Sequence, residues 1–360
     1  MVTEHIKHRL PEDSHDYDFS WFERLNEFEQ TETRRQVKYK RELLQIEEDG
    51  PWSKNRNFLY PHILPDKYAE KNFYSSIYKQ LNEYLQSERI AVHTEIQNMR
   101  SSQACCWNFL FPLRQNLSVA SIALKQVLPG VSHVAAIEFE YTGGPDVTAW
   151  LGEPQGGKRG QNRTSADAAI WWVDENDKPQ ITLIEWKYTE KEFGTCGGYQ
   201  SKDNNHKDKC RTLDVQEFNP RSDCYLATRK DNKTMRKYWQ HIREAGIDLS
   251  NFPSPTGCPF KGPFYQLMRL HLLGEYVAQV ERRDFSLVVI CFKQNRELIK
   301  LHSADTASSV DVLASWRKLL KVPQKIALSY IGDIYADFRS TRFDEGWLTY
   351  LADRYGVTGD

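Results

Sequence analysis

The strongest constraint on the fold is an uninterrupted apolar run at Phe285–Phe292 (FSLVVICF). A strand without polar alternation is expected to be buried on both faces, as in a sheet that helices cover on both sides. The preceding segment, Pro263–Val280, has helical periodicity, so a helix is expected to lead directly into this strand. The pair predicts an α/β fold, and a chain of 360 residues can bury such a sheet without disulfide bonds.

Three further strands are predicted upstream of this run. His133–Thr142 alternates apolar and polar residues, with Glu138 and Glu140 on its polar face. Ser165–Val173 and Ile181–Tyr188 are apolar runs separated by a short polar turn, which is typical of a β-hairpin. The predicted sheet therefore contains an antiparallel portion as well as the strand that is buried on both faces.

Charged residues interrupt the apolar pattern of this hairpin. Asp167 lies on its first strand, and Glu185 and Lys187, two residues apart, project from one face of its second strand. Burying an isolated Glu and Lys at that position would cost on the order of several kcal/mol without a partner or a metal ion. Two carboxylates on adjacent strands favour a hard divalent cation such as Mg²⁺. A metal, an activated water and a nearby lysine are the components that phosphodiester hydrolysis requires.

A structural ion pair is the alternative interpretation, because a Glu-x-Lys sequence by itself occurs by chance in most proteins. The position of the pair at the end of an apolar strand, after a strand that carries Asp167, favours the nuclease interpretation. A lysine beside a divalent cation should have a lowered pKa, which would help Lys187 to orient or deprotonate a water.

The arrangement of Asp167 and Glu185-Trp186-Lys187 resembles that of the PD-(D/E)xK nuclease superfamily, whose core order is helix, three strands, helix, strand. The chain supplies candidates in that order: Ser102–Leu128, His133–Thr142, Ser165–Val173, Ile181–Tyr188, Pro263–Val280 and Phe285–Phe292. Four segments are similar to a bacterial group of restriction endonucleases: Ser101-Ser102-Gln103, Phe139-Glu140-Tyr141, Ile184-Glu185-Trp186-Lys187-Tyr188-Thr189-Glu190 and Pro263-Phe264-Tyr265-Gln266-Leu267-Met268-Arg269.

The resemblance implies an α/β fold with a restriction-endonuclease-like core, an α-β-β-β-α-β mixed sheet flanked by helices. The nuclease core would occupy residues 100–292. Residues 1–99 would form a helical N-terminal elaboration, and residues 293–360 would form a C-terminal α/β extension.

The resemblance also implies that Asp167 and Glu185 bind Mg²⁺ or Mn²⁺ and that Lys187 is the catalytic lysine. The superfamily often has Pro before its Asp, where this chain has Ala166, and it often has an acid on the first core helix, which is absent here. Glu138 or Glu140 could supply this additional acid from the first strand. Gln103 or Asn108 on the helix could replace it weakly, and the sequence does not choose among these four residues.

Two other groups of residues are expected near a nucleic acid. In related nucleases a polar face of the later helix borders the site, where Gln266 and Arg269 share one face, although hydrogen bonding at the core edge is an alternative. The glycine-rich loop at 152–163 contains the cations Lys158, Arg159 and Arg163, which could contact a phosphate backbone. A flexible solvent loop is the alternative for that segment. The net charge of −1 does not oppose nucleic-acid binding, because 48 Lys and Arg residues can be grouped on one face.

The predicted function is divalent-metal-dependent hydrolysis of DNA phosphodiester bonds in bacterial restriction or defence, with RNA not excluded. A nucleic-acid-binding or assembly module without hydrolysis is the second hypothesis, because a fold does not fix a function.

Double-strand cleavage usually requires two active sites, so a homodimer is a further expectation. No apolar run approaches the roughly 20 residues that span a bilayer, and no membrane partner is expected. The sequence leaves open the recognition sequence, methylation dependence and endonucleolytic or exonucleolytic mode.

Seven cysteines and no visible secretory signal predict a reducing, cytoplasmic location with mostly free thiols. Cys196, Cys210, Cys224 and Cys258 are separated by 13, 13 and 33 residues, without the local Cys-x₂-Cys spacing of strong zinc or iron–sulfur motifs. Some superfamily exonucleases hold an iron–sulfur cluster in this region. An iron–sulfur cluster or a zinc ion at these cysteines is therefore a secondary expectation, and an iron–sulfur exonuclease is a third functional hypothesis.

Overall fold

The computed structural model describes residues 6–13, 19–156, 158, 163–212, 214, 219–228, 235–252, 257–301 and 310–358. Its strands are β1 (Ile6–Lys7), β2 (Gly50–Trp52), β3 (Asn55–Tyr60), β4 (Val131–Tyr141), β5 (Ala166–Asp174), β6 (Pro179–Trp186), β7 (Asp284–Cys291), β8 (Lys300–Leu301), β9 (Val310–Asp311) and β10 (Ile326–Tyr330).

The longer helices are α2 (Glu27–Glu42), α3 (Ser75–Ser87), α4 (Ser102–Gln115), α5 (Leu117–Ala123), α6 (Gly144–Leu151), α12 (Phe264–Glu281), α14 (Ile331–Thr341) and α15 (Glu345–Tyr355). Shorter helices are α1 (Ser20–Glu23), α7 (Gly197–Gln200), α8 (Lys207–Thr212), α9 (Pro220–Asp223), α10 (Tyr225–Thr228), α11 (Tyr238–His241) and α13 (Val312–Arg317). A seven-residue 3₁₀ helix spans Asp66–Asn72, and single 3₁₀ turns occur at Leu249–Asn251 and Pro323–Lys325. None of the described helices is both long and apolar enough to cross a lipid bilayer.

A five-stranded mixed sheet in the order β10-β7-β6-β5-β4 organises the molecule. Strands β4, β5 and β6 are antiparallel neighbours, whereas β7 is parallel to β6 and β10 is parallel to β7. The predicted hairpin is confirmed, with β5 and β6 joined by a turn in which Asp174 accepts the backbone N–H groups of Asn176 and Lys178. The α/β class is likewise confirmed.

Helices cover both faces of this sheet, as the apolar run in β7 predicts. Val288 and Ile290 pack into one core cluster, and Leu287 and Val289 pack into the other. Helices α4, α14 and α15 contribute to the first cluster, and α12 and α13 contribute to the second. Alternate side chains of one strand therefore enter two separate cores.

The N-terminal part differs from the predicted helical elaboration, because it contains the three-stranded sheet β1-β3-β2 beside its helices. The recurrence of Phe73, Ile77, Leu81 and Leu85 every four residues predicts one amphipathic helix from Asp66 to Arg89, but α3 begins only at Ser75. The buried Asn72 accounts for the break: its carbonyl accepts from Asn108 Nδ2 at 3.0 Å and its own amide donates to Asn98 O at 3.2 Å. These long-range contacts hold the backbone between the two helical stretches.

The C-terminal part extends the central sheet through β10 and packs α15 against α2. Arg354, which is fully buried, donates to Asn72 O at 2.7 Å and to Tyr350 Oη at 2.6 Å. Phe28 and Trp347, from opposite ends of the chain, belong to the same core cluster. The division into segments 1–99, 100–292 and 293–360 stays a prediction.

The contact between α12 and β7 provides a stability test. A Cβ atom at Gly274 would lie 2.0 Å from Cε2 of Phe285, so Gly274→Ala should lower the free energy of unfolding by about 1–3 kcal/mol through overpacking. A Cβ atom at Gly332 in α14 would have no other atom within 4 Å. Gly332→Ala should therefore leave the free energy of unfolding unchanged or raise it by up to about 1 kcal/mol. Urea unfolding measures both variants, and equal midpoints would contradict the packing described here.

Candidate active site

Three acidic side chains lie next to one another where β4, β5 and β6 meet at one end of the sheet. The β4–β5 register places Glu140 across from Asp167, and the β5–β6 register, continued by one residue, places Asp167 across from Glu185. Directly opposed residues on antiparallel strands project to the same face. All three line a cavity of 210 Å³, together with Lys187.

Glu140 reaches this cavity through an unusual backbone conformation. Its φ of 47° lies in the left-handed region, which non-glycine residues adopt at a cost on the order of 1–3 kcal/mol. The buried carboxylate accepts hydrogen bonds from Gln103 Nε2 and Ser165 Oγ, both at 2.6 Å. Glu138, the other candidate on this strand, does not line the cavity. The structure therefore selects Glu140, and Gln103 supports that acid instead of replacing one.

Asp167 joins the two strands of the hairpin beyond their last paired residues. Its Oδ2 accepts the backbone N–H of Trp186 at 2.6 Å. Burial raises the pKa of Asp167 well above its usual range, and the neighbouring carboxylates of Glu185 and Glu140 raise it further. This carboxyl group ionises at neutral pH only at an energetic cost, which a positive charge in the cavity would offset.

Glu185 and Lys187 form an ion pair that helix α12 holds in place. Lys187 Nζ lies 2.8 Å from Glu185 Oε1, and the same oxygen accepts from Gln266 Nε2 at 2.6 Å. Gln266 Oε1 in turn accepts from Gly194 N at 2.6 Å and from Lys187 Nζ at 3.4 Å. The amide of Gln266 therefore contacts both charged groups.

The electrostatics of the pair follow from its burial among carboxylates. Burial raises the pKa of Glu185, although the ammonium group of Lys187 opposes that effect. Burial alone would lower the pKa of Lys187, but the carboxylates of Glu185, Glu190 and Asp167 outweigh it and raise that pKa. Lys187 is therefore charged in this arrangement. The lowered pKa that the sequence predicts for Lys187 assumes a divalent cation beside it.

Cationic side chains form another wall of the cavity. Arg269 Nε donates to Thr164 Oγ1 at 2.9 Å, and its guanidinium group lies 3.7 Å from Glu153. Arg163 also lines the cavity, where its Nε has no hydrogen-bond partner among the described residues. Lys158 is exposed and its carbonyl accepts from Arg163, while Arg159 falls outside the described residues. Arg163 is the member of the predicted basic loop that borders the acidic cluster.

Two residues depart from expectation. Glu190 lies five residues after Glu185, a spacing that predicts a surface acid on the opposite face of a continued strand, but it lines the cavity and accepts the backbone N–H of Tyr188 at 2.8 Å. The strand ends at Trp186, so strand alternation no longer predicts the direction of Glu190. Asn108, considered as a substitute acid, is buried elsewhere, where its amide donates to Tyr355 Oη at 2.9 Å.

The donor set suits a hard cation. Within the described ranges, no group of three or more His, Cys, Asp or Glu residues is placed so that it could hold a metal ion as it stands. Mg²⁺ in proteins usually takes one or two carboxylates and completes its shell with water and substrate phosphate oxygens. Asp167 and Glu185 could supply those two carboxylates, and burial, which raises the pKa of each, imposes a cost on their ionisation that a bound cation would offset.

The raised pKa of Asp167 generates a pH-dependent prediction. In EDTA, the folded protein should lose stability as pH rises from about pH 4 towards neutral, because Asp167 ionises more readily in the unfolded chain. Asp167→Asn keeps an acceptor for Trp186 N and removes this charge, so it should raise the free energy of unfolding at neutral pH by on the order of 1 kcal/mol.

Thermal unfolding of both proteins across this pH range in EDTA measures the effect. The difference in Tm between Asp167→Asn and the wild-type protein should widen as the pH rises. A constant difference for Asp167→Asn would show that its carboxyl group titrates normally.

Comparison with known proteins identifies the family. Residues 33–356, most of the chain, match the family model described as "Restriction Endonuclease associating with ARP". No curated protein and no solved structure matches the chain. The matched range covers the whole acidic cluster and all of the two core clusters except Phe28 and Val357. The chain therefore belongs to the family of restriction endonucleases associating with ARP.

Proposed function

We propose that the protein is a divalent-metal-dependent nuclease that hydrolyses DNA phosphodiester bonds in restriction or defence. The observation that carries the proposal is the convergence of Asp167, Glu185 and Lys187 on one 210 Å³ cavity at the end of the sheet. A purely structural ion pair would not require the additional buried acid Glu140 beside Asp167. The family description supports the nuclease class and DNA as the substrate.

The order of elements supports a finer assignment. The PD-(D/E)xK core order is helix, three strands, helix, strand. The structure has the same order in α4, β4, β5, β6, α12 and β7, with additional helices inserted between some of them. Asp167 lies on the second strand of that series, and Glu185 and Lys187 lie at the end of the third. We assign the chain to that superfamily on this correspondence.

In this mechanism, Asp167 and Glu185 hold Mg²⁺ or Mn²⁺, which would supply Lewis-acid polarisation of the scissile phosphate when bound. Lys187 Nζ, 2.8 Å from Glu185, places a positive charge where negative charge develops on the phosphate oxygens. Gln266 keeps the carboxylate and the ammonium group in contact through its two amide atoms. Glu140 adds a negative charge beside Asp167, which strengthens the attraction of a cation.

The DNA backbone is assigned to the cationic wall. Arg163 lines the cavity, and Arg269 also lines it from α12. Guanidinium groups bind phosphate in a planar, bidentate manner. Ser102 at the N-terminus of α4 lies at the same cavity, where backbone N–H groups and the helix dipole also favour an anion.

A cleavage assay tests the proposed function directly. The purified protein is incubated with supercoiled plasmid, linear DNA and RNA in Mg²⁺, in Mn²⁺ and in EDTA. We expect cleavage of DNA in either metal and none in EDTA. Nucleic-acid binding without EDTA-sensitive cleavage of any substrate would refute hydrolysis and favour the binding-module hypothesis.

Lys187 is the residue whose removal should separate catalysis from binding. Lys187→Ala should reduce cleavage by about 100-fold or more, because the charge that stabilises the transition state is lost. The rate of plasmid cleavage in Mg²⁺ measures this effect, and DNA binding in Ca²⁺ should change only a few-fold.

Lys191→Ala is the matched control, since Lys191 lies four residues further along the chain and pairs with Glu29 outside the cavity. It should cleave at the wild-type rate. Wild-type cleavage by Lys187→Ala, with an unchanged unfolding transition, would remove Lys187 from the mechanism.

A further inference from the structure

A second cavity, separate from the acidic one, is lined by four of the seven cysteines. These are Cys196, Cys210, Cys224 and Cys258, which come from four different segments of the chain, and the cavity volume is 30 Å³. The remaining cysteines, Cys105, Cys106 and Cys291, are buried in the cores of the central sheet. All seven are free thiols.

Three of these cysteines begin a turn whose backbone N–H groups face the sulfur atom. The N–H groups of Tyr199 and Gly198 face Cys196 Sγ, and those of Ala227 and Leu226 face Cys224 Sγ. Cys258 has the same relation to the N–H of Phe260, two residues later. These N–H groups oppose the effect of burial, which raises the pKa of each of the three thiols, and they would stabilise the thiolate form that a metal ion requires.

Backbone contacts tie the four segments together. Cys258 N donates to Cys210 O at 2.8 Å, and Cys196 N donates to Lys261 O at 3.3 Å. The pKa of Cys258 is raised by burial and then by Cys224, Cys210 and Cys196, so all four sulfur atoms lie within electrostatic reach of one another.

We propose that Cys196, Cys210, Cys224 and Cys258 bind one zinc ion as four thiolates. As they stand, the four cysteines line the cavity without being placed to hold an ion together, so zinc binding requires their side chains to turn inwards about their χ1 angles. Four cysteines are one of the usual ligand sets of structural zinc sites. Lys261 and Arg236, which also line it, place positive charge next to a tetrathiolate centre of net negative charge.

The position of the cavity explains what a zinc ion would stabilise. The described parts of 187–262 contain only short helices and 3₁₀ turns, none longer than the six residues of α8, so hydrogen bonding within elements contributes little order there. Segments of this kind are often stabilised by a structural metal. Tyr265 and Met268 of α12 line the thiol cavity, while Gln266 and Arg269 on the same helix line the acidic one. The zinc ion would therefore anchor the start of the helix that contacts Glu185 and Lys187.

Metal analysis of the full-length protein tests this proposal independently of nuclease activity. Protein purified without added chelator is assayed for zinc, iron and acid-labile sulfide by mass spectrometry and colorimetry. We expect about one zinc per chain, as in structural sites with four thiolate ligands. Iron with labile sulfide, or the absence of bound metal after incubation with Zn²⁺, would overturn the assignment.

Two matched variants localise the ion. Cys224→Ala should contain less than stoichiometric zinc, whereas Cys291→Ala, which removes a core thiol outside the cavity, should retain the wild-type content. Equal zinc contents in the two variants would contradict the proposal.

Should Cys224→Ala fail to fold, thiol alkylation of the wild-type protein gives the same information. Only the four proposed ligands should become reactive when a chelator removes the zinc, and unchanged reactivity would refute their role.

Discussion

The desolvation of acidic groups at the end of the central sheet is the constraint on which the rest of the structure depends. Glu185 is only partly compensated by Lys187 and by the amide of Gln266, because burial still raises its pKa. Asp167 receives the backbone N–H of Trp186 and lies between two further carboxylates, and its pKa is raised well above the usual range. Both carboxyl groups therefore ionise in this buried position only at an energetic cost. A bound cation would offset that cost, which supports the proposed metal-dependent chemistry over a simple ion pair.

The two-sided burial of the sheet makes this arrangement stable. Strand β7 fills one core with Val288 and Ile290 and the other with Leu287 and Val289, so the neighbouring strand β6 is fixed from both faces. Helix α12 lies in the second core and carries Gln266 to the acidic cluster. The geometry of the polar site is thus set by apolar packing a few residues away. The left-handed backbone at Glu140 is retained because Gln103 and Ser165 hold its carboxylate in position.

Sequence reasoning succeeded where the information was local. Strand alternation predicted the β5–β6 hairpin and placed Glu185 and Lys187 on one face, and helical spacing grouped Gln266 with Arg269. It could not choose between Glu138 and Glu140, because the register of β4 against β5 is set across the intervening segment 142–165 and by an unusual backbone angle. The N-terminal sheet was missed for a similar reason, since its strands are short and pair through tertiary context. The convergence of the four cysteines also had no local signature, because each comes from a different segment.

The parallel pairing of β6 with β7 has a consequence for the order in which the molecule assembles. The hairpin that contains Asp167 and Glu185 is a local structure, but Gln266 and β7 join it only after the chain has closed a loop that includes the whole segment 187–283. Non-local pairing of this kind forms more slowly than a hairpin, because closure of a long loop costs entropy before any contact compensates for it. During synthesis the two carboxylates are therefore exposed to water first and enclosed later. The low-dielectric environment of the cluster is acquired at a late stage of folding, once nearly the whole chain has been made.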